Sequence, residues 1–91
     1  MKAFTRLSDD QGNEAEYELD ELAVLANPEE IQQIIDFLTY VKENHLVQHR
    51  DNHIAVTHSH FSIWKGERIG KPDLQIWTTS DDWLPLDEAN Q

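Results

Sequence analysis

Cysteine is absent from the sequence, which removes disulfide frameworks, thiol nucleophiles and cysteine-based zinc sites together. Long apolar runs are missing too. No stretch approaches the roughly 18 residues that cross a bilayer, and the N-terminal MKAFTRLSDD lacks the apolar segment of a secretory signal, so the expected compartment is the cytoplasm. Cations are scarce: 7 Lys and Arg face 18 Asp and Glu, a formal net charge of −11. Nucleic acid and anionic membrane would both repel such a chain, whereas a basic protein would attract it. Like-charged copies repel one another as well, which points to a monomer. Catalytic signatures are equally thin. There is no G-x-S-x-G and no H-E-x-x-H, and Gly66 and Gly70 stand in GERIGK without the strand-to-helix setting of a phosphate loop. These absences argue against an enzyme and against a cofactor.

What is present is organised around one stretch, Asn27 to His45, NPEEIQQIIDFLTYVKENH. Its apolar residues Ile31, Ile34, Ile35, Phe37, Leu38 and Val41 recur at spacings of three and four, the signature of an amphipathic helix. The start is marked three times over. Asn27 can accept from free backbone amides, Pro28 stands where its missing N–H costs nothing, and Glu30 completes a capping-box spacing. Such a helix cannot bury its own stripe, so the rest of the chain is expected to cover it. With 91 residues the chain fits one domain, 1–91, with a modest core that buries roughly 60 to 65% of the unfolded surface.

Before the helix, Met1 to Leu7 suggests a short strand that turns near Gly12-Asn13. The return segment alternates Glu14, Glu16, Glu18 and Asp20 against Ala15, Tyr17 and Leu19, a half-buried strand with an acidic face. At Glu21 the phase breaks, and LAVLA suggests a further strand buried on both faces. After the helix, HIAVTHSHF gives a strand with Ile54, Val56, His58 and His60 on one side. Ser62 to Lys71 suggests a hairpin loop with strand extensions near Ile63 and Ile69, and LQIWTT a closing strand. The tail is acidic, with its last five residues frayed. The expected fold is therefore α+β: one amphipathic helix packed on a mostly antiparallel four- to five-stranded sheet, in the order β-β-α-β-β.

Three constellations could carry function. His58 and His60 lie two apart on a strand and share a face, but a zinc site needs three or four protein ligands. They suit a metal- or small-ligand-binding domain only if further ligands join them; the plainer reading is a pair of solvated or hydrogen-bonded residues at the sheet margin. His45 and His49, four apart, would share a helical face if the helix runs on. Trp64 and Trp77 flank a loop with Lys65, Arg68 and Lys71, an arrangement that suits interface anchors better than a base-stacking platform in so acidic a chain, while the plainer reading makes at least two of Trp64, Trp77 and Trp83 core or core-margin residues. The row Glu14, Glu16, Glu18 and Asp20 is either a solvated face or a template for a cationic surface.

The runs ELAVLANPEEIQQIIDFLTYVKE, HIAVTHSHF and KPDLQIW, together covering roughly Leu22 to Trp77, resemble the layout of small immunity proteins of bacterial polymorphic toxin systems. The resemblance implies a module that binds and neutralises a toxin, commonly a nuclease, with no catalytic residues of its own. On that reading a basic partner meets Glu14, Glu16, Glu18, Asp20, His58, His60, Trp64 and Trp77. A structural accessory domain that self-associates through a strand edge is the third alternative.

Overall fold

The computed structural model describes residues 1–67 and 73–84. In chain order the elements are β1 (Ala3–Ser8), β2 (Glu14–Leu19), α1 (Pro28–Arg50), β3 (Val56–His60), α2 (Phe61–Trp64), β4 (Gln75–Thr79) and α3 (Ser80–Trp83). The class is α+β. The expected strand extension near Ile69 and the frayed tail fall outside the described residues.

The helix begins as its sequence predicts. The Glu30 amide donates to Asn27 Oδ1 at 2.8 Å and the Asn27 amide donates to Glu30 Oε1 at 3.1 Å, a complete capping box with Pro28 in the first turn. Asn27→Ala is expected to cost about 1 kcal/mol, read as a lower urea midpoint with an unchanged slope. A midpoint equal to that of the parent chain would show that the box is redundant. The helix runs five residues beyond His45 because Leu46 to Arg50 contains no breaker, and His49 and Arg50 suit its negative end. The chain then turns at His53, whose φ of 56° lies in the left-handed region, and the Ile54 amide donates to the Gln48 carbonyl at 2.9 Å.

The sheet is not the single one expected. β1 pairs with β2 and β3 pairs with β4, giving two separate two-stranded antiparallel sheets. The failure lies at LAVLA, which forms no strand and stays open to solvent, with Leu22 61%, Val24 64% and Leu25 102% exposed. A strand buried on both faces needs a pairing edge and two covering layers, which one helix cannot supply. The loop expected after Ser62 also differs, since Phe61 to Trp64 closes into a helical turn.

Helix α1 packs against β3, β4, α2 and α3, while among the described residues the β1–β2 hairpin pairs only with itself to any substantial extent. The radius of gyration, 15.5 Å, exceeds the about 12 Å expected of a compact chain this long. Accessible surface is 7835 Å² against about 5,500 Å² for a folded monomer of 10.6 kDa. Folding thus buries about half of the unfolded surface rather than the expected 60 to 65%.

The buried line of α1 is Phe37, Val41, His45 and His49, each four residues after the last. It overlaps the expected stripe only at Phe37 and Val41. Ile31, Ile35 and Leu38 of that stripe remain exposed, because the short β3–β4 sheet and α2 lie against the later turns.

Candidate functional site

The chemistry concentrated under α1 is a row of hydrogen bonds between side chains. Thr57, Ser59, Ile76 and Thr78 form the inward face of the β3–β4 sheet, so the wall opposite His45 and His49 is mostly hydroxyl. Imidazole can be buried there because each nitrogen finds a partner. His45 Nε2 lies 2.7 Å from Ser59 Oγ and its Nδ1 lies 2.8 Å from Thr78 Oγ1. His49 Nε2 lies 2.7 Å from the same Thr78 oxygen, and its Nδ1 lies 2.6 Å from the Ile54 carbonyl.

One end of the row fixes every proton in it. A carbonyl only accepts, so His49 carries its proton on Nδ1 and donates it to Ile54. With one proton per ring, Thr78 then donates to His49 Nε2 and accepts from His45 Nδ1–H, which leaves His45 Nε2 to accept from the Ser59 hydroxyl. The four bonds point one way. Burial first, and then the fields of His49 and His58, hold the His45 pKa below its ordinary 6.5. Trp83 closes the row from outside, its ring 6.1 Å from His45 and 6.0 Å from His49. Among the described residues no buried side-chain polar atom lacks a partner. Ser59 and His45 resemble a nucleophile and its base, but the serine hydroxyl points into the core and the imidazole has no exposed surface.

The opposite, outward face of β3–β4 gathers three of the residues singled out in the sequence. His58 and Trp77 are register partners and stack at 4.1 Å with planes 9° apart. Their closeness follows from the ladder. Phe61 N donates to Leu74 O and Ser80 N to Ala55 O, so the bonded pairs are 61/74, 59/76, 57/78 and 55/80, and His58 with Trp77 falls on a narrow non-bonded pair. Trp77 is 60% exposed. His60 neighbours His58 at 5.2 Å between rings, and its Nδ1 lies 2.5 Å from Asp73 Oδ2. Asp73 Oδ1 accepts from the Ser62 amide at 3.2 Å. Burial raises the Asp73 pKa, but the hydrogen bonds from His60 and Ser62 outweigh it and the net shift is downward.

A carboxylate on one imidazole nitrogen is how many metal-binding histidines are oriented. Among the described residues, however, no group of three or more His, Asp or Glu side chains is placed to hold a metal ion.

The remaining candidates lie elsewhere. Trp64 joins the core margin, its ring 5.6 Å from Phe37, 6.0 Å from Phe61 and 6.4 Å from Tyr40. Glu14, Glu16 and Glu18 share one face of the hairpin, with Asp20 exposed just past the strand. Arg6 stands across the hairpin from them, 4.0 Å from Glu14 and 3.7 Å from Glu16. The acidic row and the His58–Trp77 face therefore belong to two different sheets. The buried pair His45 and His49 carried one sequence signal, their continuation of the four-residue spacing from Phe37 and Val41. The hydroxyls opposite them, on strands remote in sequence, carried none.

The chain was compared with models of known protein families, with curated proteins and with solved structures, and no match was found.

Proposed function

We propose that the protein is a non-enzymatic binding module for a basic protein partner, of the kind an immunity protein provides against a nuclease-type toxin. The observation that supports this reading is the acidic row on the hairpin. Glu14, Glu16 and Glu18 stand side by side on an exposed face, across from Phe4, Arg6 and Ser8, of which Arg6 alone is charged. Carboxylates at alternate strand positions lie about 6.5 to 7 Å apart and repel one another, a cost that a cationic partner surface would relieve. The His58–Trp77 stack adds an exposed aromatic anchor of the type that dominates interface energies. On this reading the net charge steers encounter and the stacked rings slow release.

The test is calorimetry against the product of the neighbouring gene. Submicromolar binding is expected at low ionic strength, weakening by about tenfold or more as salt rises from about 0.05 to about 0.2 M. Absence of heat at low salt, or an affinity indifferent to salt, would count against a basic partner.

A further inference from the structure

The hairpin has a second face, and much of it is open to solvent. Opposite the acidic row the odd-numbered residues of β1 and β2 place Leu7, Tyr17 and Leu19 together, with no charged residue among them. Leu7 and Tyr17 are more than half exposed. A lone two-stranded hairpin is at best marginally stable in water and needs a further strand or a helix against its apolar face. Among the described residues, α1 leaves an apolar face uncovered. Ile31, Ile35 and Leu38 fall within about 60° of one another around α1 and are all exposed. Leu38 also borders an open hollow of about 460 Å³ with Val41, Ile76 and Trp83 in its wall.

We infer that these two surfaces cover each other between two copies of the chain, the hairpin of each copy lying on the Ile31–Ile35–Leu38 face of α1 in the other. Residues 20–27, which join hairpin to helix, form no helix or strand, and Leu22, Val24 and Leu25 along them are open to solvent. The hairpin makes no substantial contact with its own helix. A second copy can take the arm as it stands, whereas closure on the same chain requires the connector to fold back. Reciprocal exchange is closed and two-fold symmetric, so it stops at two copies. The surplus of accessible surface over a folded monomer, about 2,300 Å² on each chain, exceeds the about 800 Å² per partner of a standard interface and over two copies comes to the range of obligate homodimers.

Charge opposes this pairing from a distance rather than at the contact. The docking face of the hairpin is uncharged, while the acidic row lies on its outer side and stays available to a basic partner. Repulsion between two chains of −11 is screened by salt and apolar contact is not. Dimerisation should therefore strengthen with salt, opposite in sign to the binding proposed above, and either behaviour can fail without the other.

Sedimentation equilibrium of the full chain at high micromolar concentration tests this, in NaCl at about 0.05 and about 0.5 M. The mass is expected to rise from 10.6 kDa towards twice that value as salt increases. Tyr17→Asp and Ile35→Asp, both at exposed positions, should each restore the monomer in high salt while keeping the helical circular dichroism of the parent. Because the chain has no cysteine, the double variant Tyr17→Cys, Ile35→Cys reports the contact directly under mild oxidation. A covalent dimer supports exchange, and a cross-linked monomer shows the arm closing on its own helix and overturns it. A parent chain that stays monomeric in high salt, or a dimer indifferent to both Asp substitutions, overturns it as well.

Discussion

Phe37→Ala is expected to leave much of the chain unfolded at room temperature. The side chain has no exposed surface and sits edge-on to Phe61 at 5.2 Å and beside Trp64 at 5.6 Å, so its loss opens a cavity bounded by two rings and Val41. Buried Phe→Ala changes cost about 3 to 5 kcal/mol. A 91-residue domain has about 5 to 14 kcal/mol in all, and one that buries only half its unfolded surface belongs at the low end. Phe4→Ala supplies the control, being the same chemical change on the exposed outer face of the hairpin, where the shift should stay within about 0.5 kcal/mol. Urea titration followed by far-ultraviolet circular dichroism compares the two. Equal midpoints would mean that the ring cluster does not hold the helix.

Removing a single hydroxyl should be nearly as damaging. Thr78→Val keeps the shape of the side chain but leaves His45 Nδ1 and His49 Nε2 facing a methyl group. A buried group without a partner costs about 1 to 3 kcal/mol, so two together reach about 2 to 6 kcal/mol. Thr78→Ser retains the bonding oxygen and should cost about 1 kcal/mol for the lost methyl. If Ser proves as harmful as Val, packing rather than the hydroxyl is what matters at that position. The same row sets the acid response. His45 has a lowered folded pKa, so just below 6.5 the unfolded chain binds the proton that the folded chain refuses. Stability is complete above that pH, declines as pH falls towards the folded value, and changes no further from this group below it. Asp73, also lowered, keeps its contribution until well into acid, below 3.8. Urea midpoints that hold level from neutral pH down to about 4 would contradict the His45 assignment.

The start of the helix was legible in the sequence because every signal there is local: Asn27, Pro28 and Glu30 act on amides within one turn. The hairpin was legible for the same reason. In its turn the Asp9 carboxylate accepts from the Gln11 and Asn13 amides, which lowers its pKa, and Gly12 takes a φ of 81°. Joining the strands into one sheet was not legible, since it depended on whether LAVLA would find neighbours, and a continuous apolar run says only that it could use them. The pairing of His58 with Trp77 needed the register between strands separated by residues 61–74. For the core the sequence showed the helix side of the contact but not the wall. Only with Thr78 and Ser59 in place do two histidines become interior residues rather than ligands in waiting.

The line from Phe37 to His49 changes character half-way along, and the two ends of one helix answer to different insults. Around Phe37 the grip is oily and indifferent to hydrogen ions, so mild souring of the medium leaves it intact. Around His45 and His49 the grip is a sequence of oriented dipoles, and a proton added at His45 Nε2 turns the Ser59 hydroxyl round and sets a charge among buried groups. Such a helix has no uniform breaking point: as the medium sours, its later turns would part from the sheet first while the earlier turns remain seated.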